Sequence, residues 1–270
     1  MSDPGRPFRF GAVMSVRGSA REWGESAREL EALGYSTLLV PDTLWTPSPF
    51  LVLAAAASAT TTLRLGTWVL SAPLRRPAEV VRETKTLQSL SEGRFELGIG
   101  AGRPGGERDA AALGLEWGSP KERVDRVEAT VEAVRSEQSP PIVIAGHGDR
   151  MLRLAGRAAS TLALPTSPDV DSEQLTALVD RVHDVAGADL ELALQITGVG
   201  EELPDWLRHQ LGLTPEGLRD AGAVLMLTGD VERDASALER LRTQTGVSYF
   251  TVPGQFATRL GPLVGRLSGT

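Results

Sequence analysis

Between Leu63 and Gly102 the hydrophobic pattern of the chain changes period twice. A β-rich run, Leu63–Leu70, is followed by a segment in which Val80, Thr84, Leu87 and Leu90 recur at spacings of four, three and three, the period of one helix face. A second β-rich run, Arg94–Gly100, closes the stretch. Pro77 stands where a first helical residue belongs and Gly93 where a left-handed stop belongs, so the stretch reads as a parallel βαβ unit with a right-handed crossover.

The same alternation runs along the chain. Strand patterns start near Phe8, Ser36, Leu63, Arg94, Ile142, Thr161, Leu190 and Ser248. Helical stripes are predicted at Ala20–Leu33, Phe50–Ser58, Lys121–Ser136, Met151–Ala158, Ser172–Val185, Glu202–Leu211, Arg233–Thr243 and Phe256–Leu267, while 107–119 shows little periodicity. Eight strands, each followed by helical sequence and with no low-complexity linker between them, predict one (β/α)8 TIM-barrel domain over residues 1–270.

A barrel places its chemistry at the carboxyl ends of its strands, so those ends hold the candidates. The second strand ends at Pro41-Asp42-Thr43, where Asp42 is either a functional carboxylate or a turn cap. The third ends at Trp68-Val69-Leu70-Ser71 and the fourth at Gly98-Ile99-Gly100-Ala101-Gly102, whose glycines let backbone approach a flat ring. Gly100–Gly105 spells G-x-G-x-x-G, but the acid a dinucleotide fingerprint needs on a second strand is missing, which makes the Rossmann reading weak. The fifth strand enters Gly146-His147-Gly148-Asp149-Arg150 and then a helix, a geometry that offers free N–H groups to a phosphate. His147 reads equally as a phosphate contact or a solvated loop residue, and less readily as a proton donor.

Composition narrows the classes. Net charge of -7 and a pI near 5.2 argue against a nucleic-acid surface. The absence of Cys removes disulfides, thiolate nucleophiles and Cys-based metal sites, and no pair of His has metal-ligand spacing, so no metal is expected. No apolar run is long enough to span a membrane, MSDPGRPFRFG has no signal-peptide core, and mean hydropathy is -0.10; a cytoplasmic protein is expected.

LGTWVL followed by RRPAEVVRETKTLQSLSEGRFELGIGAG resembles the central signature of the luciferase-like flavin and deazaflavin oxidoreductases, most of all the branch that uses coenzyme F420. The resemblance implies a luciferase-like barrel and hydride transfer between F420 and a small organic substrate, with FMN as the alternative cofactor. It implies a non-prolyl cis peptide, by position Trp68–Val69, with the ring held by Asp42, Trp68, Val69, Gly100, Ala101 and Gly102. The phosphate side falls to Gly146, His147, Gly148, Asp149, Arg150 and Met151. Ser15, Trp45 and Arg103 would face the substrate, and Asp42, Trp45 and Arg103 are the catalytic candidates. Trp68 also reads as a plain barrel-core residue. The chain departs from the pattern where it has Thr43 after Asp42 instead of His, and where Arg103 stands near the position of a carboxylate, which argues against sugar dehydrogenation. Only Glu137–Pro140 precedes the fifth strand, where relatives insert a longer segment. An FMN monooxygenase and a non-catalytic flavin-binding barrel remain the alternatives, and a homodimer is possible.

Overall fold

The computed structural model describes residues 6–15 and 18–270. All eight sequence-read strands form: β1 Arg9–Val13, β2 Thr37–Val40, β3 beginning at Arg64–Thr67, β4 Phe95–Gly100, β5 Ile142–Ala145, β6 Thr161–Ala163, β7 Glu191–Gln195 and β8 Tyr249–Pro253. Their order, β3-β2-β1-β8-β7-β6-β5-β4 with β3 also paired to β4, closes a ring in which every neighbour is parallel. The helices are α1 Ala20–Ala32, α2 Pro49–Ala57, α3 Pro77–Leu90, α4 Glu107–Ala112, α5 Pro120–Glu137, α6 Asp149–Ala158, α7 Ser172–Ala186, α8 Asp205–Leu211, α9 Pro215–Asp220, α10 Val231–Thr245 and α11 Ala257–Leu267. This is the (β/α)8 barrel.

Alternation along each strand separates two cores. Outward residues such as Phe10, Leu38, Leu65, Leu97 and Ile144 meet the helices in the main hydrophobic layer. The inward set is smaller: Leu39, Ala193 and Tyr249 pack together, with Val13 and Trp68 against them. Gly11 and Gly66 keep that space open, since a Cβ on either would press into Leu39 at 2.7 or 2.8 Å.

The amino-terminal end of the barrel is plugged by charge. Arg9 donates to Glu96 at 2.8 Å and Glu191 at 2.7 Å and lies over the Tyr249 ring; Arg64 also pairs with Glu96, and Thr161 donates to Glu191. Burial works against the charge on Arg9, but Glu96, Tyr249 and Glu191 outweigh it, so the guanidinium is held more firmly protonated than usual.

Four details differ from the sequence reading. Residues 107–112, read as aperiodic, form α4, and Pro215–Asp220, not read as helix, forms α9. Both are too short to display a stripe. The helix expected from Glu202 starts at Asp205, and residues Gly198–Val199 and Met226–Leu227 make a small separate sheet.

Candidate active site at the carboxyl end of the barrel

The site begins with a break in β3. Leu65 and Gly66 pair with Phe95 and Glu96, but Leu70 and Ser71 pair with Ile99 and Gly100, so β3 spends one residue more than β4 over the interval. That is a bulge, and the Trp68–Val69 peptide within it is cis. At the bulge β4 loses its regular partner. The Thr67 hydroxyl replaces it, accepting from the Gly98 N–H at 2.9 Å and donating to the Gly98 carbonyl at 2.7 Å. Gly98 is required there, because a Cβ would sit 1.9 Å from the Thr67 carbonyl oxygen. Thr67→Val keeps the shape and removes both bonds inside a fully buried site. It should lower stability by about 2–4 kcal/mol in denaturant unfolding, two unsatisfied backbone groups at roughly 1–2 kcal/mol each.

Asp42 locks this bulge to β2. Its carboxylate accepts from Arg75 at 2.6 and 3.1 Å and from the Ser71 N–H at 3.2 Å, with 7% of the side chain exposed. The carboxylate is thus held in an ion pair, and any influence on a bound ring would pass through Ser71. Asp42→Asn should cost about 1–3 kcal/mol of unfolding free energy, since it leaves a mostly buried guanidinium with one weak partner, Glu83 at 3.7 Å. A melting temperature equal to that of the parent would show that the pair carries no stability.

On the other side of β3, Arg103 stacks over Trp45 at 4.0 Å and pairs with Asp109 at 2.8 Å. The two substrate candidates after β2 and β4 therefore meet, forming a half-exposed edge beside β3. Ser15 lies exposed beyond β1. The Ala101 carbonyl is held by Arg123 at 3.0 Å, and Trp117 fills the space beside Gly102 and Gly106, where a Cβ would meet its ring at 2.3 and 2.4 Å.

After β5 the chain passes Ala145 into Gly146, exposed His147 and Gly148 at the start of α6, whose amino terminus has no side-chain cap. Gly148 has ordinary extended backbone, φ -76°, and open space where a Cβ would stand, whereas Gly146 packs on Met151. Asp149 and Arg150 face away into ion pairs, Asp149 with Arg181 and Arg150 with Asp125 and Glu128. The anion-holding groups left here are backbone N–H.

Between these parts lies a cleft of about 250 Å³ lined by Trp68 and Val69 of the bulge, Ala145, the ends of β6 and β7, and Trp206 and Leu207 of α8. Sequence reasoning missed Gln195, Trp206, Arg75 and Thr67; only the position of Gln195 at a strand end offered a signal. Among the described residues no cluster of His, Cys, Asp and Glu could hold a metal, and no helix is long and apolar enough to cross a membrane.

Residues 6–136 match the family described as luciferase-like monooxygenase. Over that span, a little under half of the chain, the sequence is similar to that family. An uncharacterised protein of Mycobacterium tuberculosis is 27% identical over 207 residues, 60% of this chain and 71% of that protein. A phthiodiolone/phenolphthiodiolone dimycocerosates ketoreductase of Mycobacterium sp. (strain JLS) is 32% identical over 152 residues, 46% of this chain but only 39% of the relative. The (β/α)8 fold itself matches solved structures over nearly the whole chain. Coenzyme F420-dependent tetrahydromethanopterin reductase from Methanopyrus kandleri superposes with TM-score 0.70 at 15% identity, covering 97% of this chain and 100% of the other. The oxygenating constituent of 3,6-diketocamphane monooxygenase from Pseudomonas putida, in complex with FMN, gives 0.72 at 16%, covering 96% and 95%. Neighbours on this fold thus use either a deazaflavin or a flavin.

Proposed function

We propose that the chain is a coenzyme F420-dependent oxidoreductase, a reductase of small organic substrates with an activated C=C or C=N bond. The observation that carries this is a cleft at the strand ends, free of charged side chains, whose wall at Ala145 leads into Gly146–Gly148 and an uncapped helix. The residues fit a tricyclic ring with a phosphate tail. Trp68 and Val69 would back the ring and Gly100, Ala101 and Gly102 would flank it; at Gly100 a Cβ would crowd Val69 at 3.1 Å and the Ala145 carbonyl at 3.3 Å, so the wall there is flat. Gly146, His147, Gly148, Asp149, Arg150 and Met151 would hold the phosphate side, through the N–H groups of the first turn of α6. Bound there, a reduced deazaflavin supplies a hydride.

The preference for F420 over FMN rests on Gly148. Its exposed, unobstructed position gives a phosphodiester chain a way out, which a terminal phosphate does not need. The residues do the rest: Asp42 fixes Ser71 at the ring edge, the Trp45–Arg103 stack shelters the ring side of the mouth, and Ser15 lies at its rim. The ketoreductase named among the relatives supports reduction of a polarised double bond. Oxygen uptake tests the reaction class. With reduced F420 the protein should consume no oxygen above the protein-free rate; enzyme-dependent uptake with reduced FMN and not with F420 would make it a monooxygenase.

A further inference from the structure

The proposed ring site leaves one wall of the cleft unassigned. In the closed sheet β3 and β7 stand opposite each other, four strands apart in either direction. A ring resting on the β3 bulge would therefore turn its open face toward the ends of β6 and β7 and toward α8. That wall includes Leu164, Ile196, Trp206 and Leu207, with Thr166, Gln195 and Thr197 as polar members, and no side chain lining the cleft is charged. On the β3 side two charges are neutralised in pairs, Asp42 by Arg75 and Arg103 by Asp109.

Two features mark this wall as a recognition surface. Trp206 lines the cleft while 46% exposed, and it stands outside the core. It is carried by a small flap, α8 and α9, with its own cluster of Leu203, Leu207, Leu218 and Ala223; Leu207 anchors α8 and leaves the neighbouring indole at the opening. Gln195, half-buried at the end of β7, has no hydrogen-bond partner for its side-chain amide among the described residues. An amide in that position is a ready donor to a neutral acceptor, and an apolar wall of this kind penalises an unpaired ion.

We propose that this wall selects an uncharged, largely apolar substrate with one carbonyl or imine acceptor, Trp206 lying against its apolar body and the Gln195 amide donating to its acceptor. The inference rests on the cofactor reading above, and the experiment separates the two. The purified protein is first titrated with F420 and FMN; binding of neither sinks both readings. With the cofactor that binds in place, saturation-transfer NMR then compares cyclohex-2-en-1-one, 4-oxocyclohex-2-ene-1-carboxylate and cyclohexene.

The enone should bind about tenfold or more tightly than its carboxylate analogue. Trp206→Ala should weaken the enone about tenfold and Trp206→Phe only slightly, with cofactor affinity and melting temperature unchanged in both. Gln195→Leu should weaken the enone about tenfold and leave cyclohexene unaffected. Equal affinity for the carboxylate, or an unchanged enone affinity in Trp206→Ala, would overturn the proposal while leaving the cofactor assignment standing. A Gln195→Leu variant that loses enone and cyclohexene alike would reduce Gln195 to a packing residue and sink that part of it.

Discussion

Replacing Arg9 by Met should lower the unfolding free energy by about 3–5 kcal/mol, the range for removing one partner of a buried charge pair. Methionine keeps the length and apolar stem of the side chain, so the change isolates the charge. Glu191, with 8% of its side chain exposed, would keep only the Thr161 hydroxyl, and Glu96, with 2%, only Arg64. Both carboxylates are mostly buried, so water could replace the lost partner only in part. Since the cluster lies at the end of the barrel away from the cleft, cofactor affinity in the folded variant should stay within about twofold of the parent, as expected for sites with no shared partners. A chemical-denaturation midpoint unchanged by Arg9→Met would show that the plug is solvated and contributes nothing.

The second large effect belongs to the phosphate side. Gly148→Val should raise the cofactor dissociation constant roughly tenfold or more, at about 1.4 kcal/mol per factor of ten. Backbone freedom is not what glycine supplies here, since φ is -76° and ψ 146°, angles a β-branched residue favours. Nothing in the chain lies within 4 Å of the added Cβ, so folding should tolerate valine and only an approaching ligand would meet it. Fluorescence titration and a thermal melt on the same sample check both halves. Unchanged affinity would take this loop out of the site.

The barrel was legible because strand and helix periods alternate cleanly from Phe8 to Leu267 and strand ends carry glycine and proline. Its interior was not. Arg9, Arg64, Glu96 and Glu191 sit at or beside strand starts, where alternating charge reads as a solvent face; only ring closure turns them inward onto one another. The bulge with its cis peptide at Trp68–Val69 was expected from the resemblance and not from the pattern, since one extra residue between Gly66 and Leu70 changes no composition. Asp42 was picked out by position, but its partner Arg75 lies 33 residues on. Trp206 came from a helix whose stripe faces the small flap core, and its place over the cleft depends on β6, distant in sequence, as well as on the nearby end of β7.

Cofactor choice tests the proposed function most directly. Equilibrium titration of the purified protein with F420 and with FMN, followed by quenching of each cofactor's own fluorescence, measures this without a substrate. The cleft and the open phosphate edge at Gly148 predict saturable binding of F420 with a dissociation constant at least about tenfold below that for FMN, a difference of about 1.4 kcal/mol. Tighter binding of FMN, or no saturable binding of F420, would contradict it.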